Sequence, residues 1–207
     1  MIASITRYAS TRDLLSAAHV HALTRAGRHR PHAIAAWRPG VDLPAPGSAD
    51  MDRLVDELNE PLIQFAADTG SRPGRSRQVW QCALRTHPDS APLSDQAWAN
   101  AARRVLAAAG IAPPGDEAAC RWIALRIDDH EARIVAPLMR QDGRTPRTHQ
   151  DISRVTAVCQ LIELETTGSR RHTAALTRNI PTVISAQGPA TAPADHFAPG
   201  RLAAPSR

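Results

Sequence analysis

Few residues in this chain can do covalent or metal chemistry. There is a single tyrosine, Tyr8. A phenolate can attack a phosphodiester and hold the broken end as an ester. His130 and Glu131 are neighbours where two apolar runs meet, and Arg133 follows two residues later. Imidazole and carboxylate ligate Mg²⁺ or Mn²⁺, whereas a guanidinium repels a cation and grips phosphate. All 25 basic residues are arginine, against 20 acidic ones. Arg7, Arg12, Arg126, Arg133 and Arg140 are the candidates for phosphate contacts. His19 and His21, two apart in a predicted helix, do not share a face; His29 and His32 lie in a basic loop open to solvent or phosphate; His87, His149, His172 and His196 lack partners at ligand spacing; all read as surface residues. Cys82, Cys120 and Cys159 form no C-x-x-C, which fits a reduced, cytoplasmic chain. P-loop, zinc, dinucleotide-binding and nucleophile-elbow patterns are absent.

The net charge of +5 is unevenly placed. Residues 169–207 hold five Arg and one Asp, so the first 168 residues carry only +1. Residues 1–41, 69–88 and 133–147 are locally basic, and 42–68 has seven acids against Arg53. Basic segments gathered on one face would bind phosphate; scattered, they are a solvated surface.

The elements that must position these residues follow from hydrophobic period. Residues 1–7 and 32–37 read as strands around a helix capped by Ser10 or Thr11. Met51, Leu54, Val55, Leu58, Leu62 and Phe65 recur at helical spacing, with a kink or restart expected at Pro61. Residues 77–86 alternate, with Trp80, Cys82 and Leu84 on one face. Ser94 caps a helix closed by Gly110, stapled by Leu93 and Trp98. Strands at 121–127 and 133–140 flank a hairpin at Asp128–Asp129–His130, too short a link for parallel strands. A last helix spans 148–167, with Ile152, Val155, Cys159 and Ile162 inward and Gly168 as its stop.

The expected class is therefore α+β, a central antiparallel sheet flanked by helices. The expected organisation is a folded domain over 1–168 and a basic Pro/Ala-rich, disordered tail over 169–207. No membrane span and no apolar signal region at the start are read.

Several stretches in order resemble one family: V-W-Q-C-A-L-R at 79–85, P-L-S-D-Q-A-W at 92–98, C-R-W-I-A-L-R at 120–126, I-V-A-P-L-M-R-Q-D-G-R at 134–144 and S-R-V-T-A-V-C at 153–159. M-I-A-S-I-T-R at the start and R-P-H-A-I-A-A-W at 30–37 are similar too. The chain resembles the relaxases, or mobilisation nucleases, of actinobacterial conjugative and mobilisable elements. The resemblance implies a helix-flanked antiparallel sheet that binds single-stranded or hairpin DNA at a transfer origin. It also implies nicking by a tyrosine, a divalent metal (Mg²⁺ or Mn²⁺) on a histidine triad, and accessory mobilisation proteins as possible partners.

The resemblance departs from the family at the chemistry. Aligned without gaps, the three histidine positions fall on Ile127, Glu131 and Arg133, and Gln81 stands where a further His is common. His130 is shifted by one residue and faces the other side of a regular strand, unless a bulge or a one-residue gap restores it. The family tyrosine falls near Ser16 and Ala17, leaving Tyr8 as the candidate nucleophile and Ser16 as a lesser one. Three readings follow: a relaxase-like DNA-binding protein with a degenerate centre and impaired or no nicking; an active nicking transesterase using Tyr8, His130 and Glu131; or a basic interaction protein without a DNA role. Metal affinity is expected to be weak, and Arg133 is expected to grip DNA where the ion would sit.

Overall fold

A computed structural model describes the backbone of residues 1–24, 30–70 and 78–178, and the side chains of 1–20, 30–70 and 78–166. The sequence reads as loops at 27–31 and 70–74, and these lie largely outside the described residues. Nine elements follow one another: β1 (Ile2–Tyr8), α1 (Thr11–Thr24), β2 (His32–Ala36), α2 (Ala49–Thr69), β3 (Val79–Arg85), α3 (Asp95–Ala109), β4 (Ile123–Arg126), β5 (Glu131–Pro137) and α4 (Asp151–Arg178). The strands form one sheet in the order β1-β3-β5-β4-β2, with every pairing antiparallel. The α+β architecture with a central antiparallel sheet is thus present.

Strand alternation assigns each side chain a face. Val79, Ile123, Leu125, Ile127 and Val135 point to one side and pack on Leu14, Leu15 and Ala18 of α1 and Met51, Leu54, Val55 and Leu58 of α2. Trp80, Cys82, Leu84, Ala124, Ile134 and Ala136 point to the other, where Trp98, Ala102 and Val105 of α3 and Val155, Cys159 and Ile162 of α4 cover them. Ser94 accepts from the Ala97 amide as N-cap of α3. Gly110 closes that helix with φ 73°, and a Cβ there would lie 2.8 Å from the Arg147 carbonyl oxygen.

Several boundaries differ from the expectation. β4 is shorter than 121–127, and β5 begins at Glu131 rather than 133 and ends at Pro137. The turn is therefore tighter, closed by the Ile127 amide donating to the Glu131 carbonyl at 2.9 Å. α2 runs unbroken through Pro61. Proline removes the amide that would bond the Glu57 carbonyl four residues back. Arg121 Nη1 donates to that carbonyl at 2.6 Å instead, so the orphaned acceptor is satisfied from outside the helix. Ile152 is 65% exposed rather than inward, because α4 turns Asp151, Val155, Cys159 and Ile162 toward the sheet. α4 also continues past Gly168 to Arg178, so residues 169–178 of the expected tail are helical. A single glycine costs a helix only about 1 kcal/mol. Met1–Arg170 form one compact unit and Arg171–Arg207 a second stretch. Among the described residues, no helix is long and apolar enough to cross a membrane.

Candidate nucleic-acid interface

The two faces of the sheet are covered unequally. On the α1/α2 side, β4 and β5 are buried, but Ile2, Ser4, Thr6 and Tyr8 of edge strand β1 are exposed. Beside them on β3 lie half-buried Gln81, small Ala83 and exposed Arg85. The register aligns Ile2, Arg85 and Glu131 in one cross-strand row, Ser4, Ala83 and Arg133 in the next, then Thr6, Gln81 and Val135, and finally Tyr8, Val79 and Pro137. Among the described residues this makes an open trough with an acid–arginine cluster at one end and an aromatic ring at the other.

The cluster is a carboxylate between two guanidinium groups. Glu131, 1% exposed, accepts from Arg133 Nε at 2.7 Å on one oxygen and from Arg85 Nε at 3.0 Å on the other. Burial pushes the Glu131 carboxyl up, but hydrogen bonds from Arg85 and Arg133 outweigh it, so the group stays below its ordinary range. Arg133 is itself buried, whereas the Arg85 side chain is 47% exposed and reaches solvent beyond its contact with Glu131. Glu131 and Arg133, two apart on β5, thus pair on one face and are joined by Arg85. Sequence alternation places Arg85 opposite Trp80, Cys82 and Leu84, but only the β3–β5 register puts it beside Glu131.

All four positions matched to family histidines, Gln81, Ile127, Glu131 and Arg133, fall on this α1/α2 face of three adjacent strands. As a set they do not fit a divalent ion. Ile127 has no donor atom, Arg133 carries a positive charge, and both Glu131 oxygens are engaged by arginines. His130 projects to the opposite side, where its Nδ1 lies 3.1 Å from Thr86 Oγ1. His130 lies in the turn just before β5, whose register with β3 runs without a shift from Glu131 to Pro137. No group of three or more His, Cys, Asp or Glu able to hold a metal occurs among the described residues.

Tyr8 shares the face but does not converge with Glu131. Their rows are six residues apart along the strands, which is about 20 Å at 3.3 Å per residue. Ser16, half-buried in α1, belongs to the helix that covers the sheet.

The other four candidate arginines, Arg7, Arg12, Arg126 and Arg140, do not gather in one patch. Arg7 lies on the α3/α4 side, donating to Asp151 at 2.7 Å and to Thr148 at 3.2 Å. Asp151 also accepts from Trp80 Nε1 at 3.0 Å, so Arg7 pins the start of α4 to the sheet. Arg126 bonds Asp95 at 2.7 Å and Asp129 at 3.0 Å. Its hydrogen bond, together with one from His32, holds the Asp95 carboxyl low despite partial burial. His32, read from sequence as a surface group, bonds that same Asp95 at 3.0 Å. Arg140 holds Asp116 and Asp142 beyond the end of β5. Arg12 pairs with Asp52 on the outside of α2. Among the described residues, Arg85 and Arg133 are the arginines of β3 and β5 on this face, and Arg85 is the accessible one of the pair. Compared with protein-family models, curated proteins and solved structures, the chain matches none.

Proposed function

We propose that this protein is a relaxase-like mobilisation protein that binds single-stranded or hairpin DNA on the open half of its sheet and does not nick it. The observation that carries this reading is the Arg85–Glu131–Arg133 cluster on the face that bears all four histidine-equivalent positions. A guanidinium offers phosphate paired hydrogen bonds, but it cannot supply open coordination sites to polarise a scissile P–O bond. Glu131 orients both arginines, and Arg85 presents its remaining donors to a phosphate oxygen. The separation of Tyr8 from this cluster supports binding over transesterification. A cytoplasmic location fits the three free, buried cysteines.

The test is an incubation of a labelled single strand with the protein in Mn²⁺, followed by denaturing electrophoresis and a binding titration. The reading expects retention of the strand, no cleavage and no covalent adduct. Cleavage that is lost in Tyr8→Phe would contradict it.

A further inference from the structure

We infer that Tyr8 is a base-stacking platform for single-stranded DNA, working with Arg85 as the phosphate anchor at the far end of one trough. The inference rests on the DNA-binding reading above and assigns Tyr8 a role other than nucleophile. Tyr8 is 40% exposed although it is aromatic, and it lies on the same face as Arg85. Between the two, that face presents Ser4, Thr6 and Gln81, all short or half-buried and able to hydrogen-bond. Among the described residues of β1 and β3 no bulky side chain interrupts this floor: Ala83 lies between Gln81 and Arg85 on β3.

The six-residue separation of the two rows, about 20 Å, spans roughly 4 nucleotides of extended strand, the low end of single-strand site sizes. A duplex keeps its bases stacked inside and cannot offer one to a ring on a flat sheet; a single strand can. Tyrosine stacks through its ring, so the hydroxyl is dispensable for this role, whereas a nucleophile requires it. The hydroxyls and amide between the anchors provide contacts to sugar, phosphate or base edges without selecting one base.

Fluorescence anisotropy with a labelled oligothymidine of about 12 nucleotides, longer than the trough, tests the inference on the full chain. Tyr8→Ala and Tyr8→Leu should each weaken binding roughly 10-fold, the effect of losing one stacked base, and Tyr8→Phe should bind as the parent does. Tyr8→Leu keeps apolar bulk, so agreement between Ala and Leu separates loss of the ring from loss of packing. Parent-like binding by both Ala and Leu variants overturns the inference and leaves the DNA-binding reading standing. Loss in Tyr8→Phe equal to that in Tyr8→Ala overturns it in favour of a role for the hydroxyl. A parent protein that retains no single strand at low salt overturns both, and tighter binding of an oligouridine of equal length overturns the assignment to DNA.

Discussion

Glu131 and Arg133 look interchangeable with any surface ion pair in the sequence, but their burial changes what each substitution does. Removing Arg133 takes one guanidinium away from a carboxylate that is 1% exposed. Breaking such a buried pair costs about 3–5 kcal/mol. Arg133→Ala should therefore lower unfolding free energy in urea by that amount. Arg85→Ala should cost no more than about 1 kcal/mol, because its side chain is half in water. Equal losses from the two variants would show that the cluster does not have this asymmetry. At this scale the sequence made the shared face of Glu131 and Arg133 legible, since residues i and i+2 of a strand must agree. It assigned the phosphate grip to Arg133; Arg133 is buried, and in the proposed function that grip belongs to the half-exposed Arg85. Arg7, Arg126 and Arg140 were read as phosphate contacts, and each is committed to carboxylates that tie elements together. Nothing in a single sequence states which acid folds back onto which arginine.

Secondary structure was most legible where caps and period agree. Ser94, Leu93, Trp98 and Gly110 marked α3 at both ends, and the alternation of Trp80, Cys82 and Leu84 fixed the faces of β3. Failures came where a tertiary contact overrides a local rule. Pro61 frees the Glu57 carbonyl from its helical bond, and Arg121 pairs it. Arg121→Ala should cost about 1–3 kcal/mol, since it leaves a part-buried carbonyl unsatisfied and also removes the pair with Glu60. That cost should shrink in a Pro61→Ala background, where the residue 61 amide can return to Glu57. A thermodynamic cycle from urea denaturation of the four proteins measures the coupling. Strict additivity of the two substitutions would remove this explanation for the unbroken helix. Ile152 was misread for a similar reason: Asp151, an acid, takes the inward position because Arg7 and Trp80 meet it there.

Across the whole molecule, stability should depend on acid in a direction the ion pairs set. Glu131 ionises in the folded state below its ordinary value of 4.5, and Asp95, Asp116 and Asp142 are likewise held low by arginines. Between folded and unfolded values the unfolded chain binds more protons, so stability rises with pH there. The contribution is present above about pH 4.5 and is lost as pH falls through the folded-state value. Glu131→Gln should flatten this part of the stability profile, followed by urea midpoints from pH 6 downward. An unchanged slope would show that Glu131 is not among the groups responsible. The antiparallel sheet with helices on both sides was legible in the spacing of the apolar runs, whereas the strand order and the uncovered half of one face were not. Those depend on which strands pair, and pairing joins residues far apart in the chain.

The central claim, that an exposed guanidinium on an open sheet face grips single-stranded DNA, is tested most directly by anisotropy titrations over a salt series for the parent and Arg85→Ala. The parent should lose affinity linearly as log salt rises. Arg85→Ala should bind more weakly, with a slope reduced by about 0.7, one phosphate contact on a single strand. Superimposable lines for the two proteins, or no salt-dependent binding by the parent, would contradict the account.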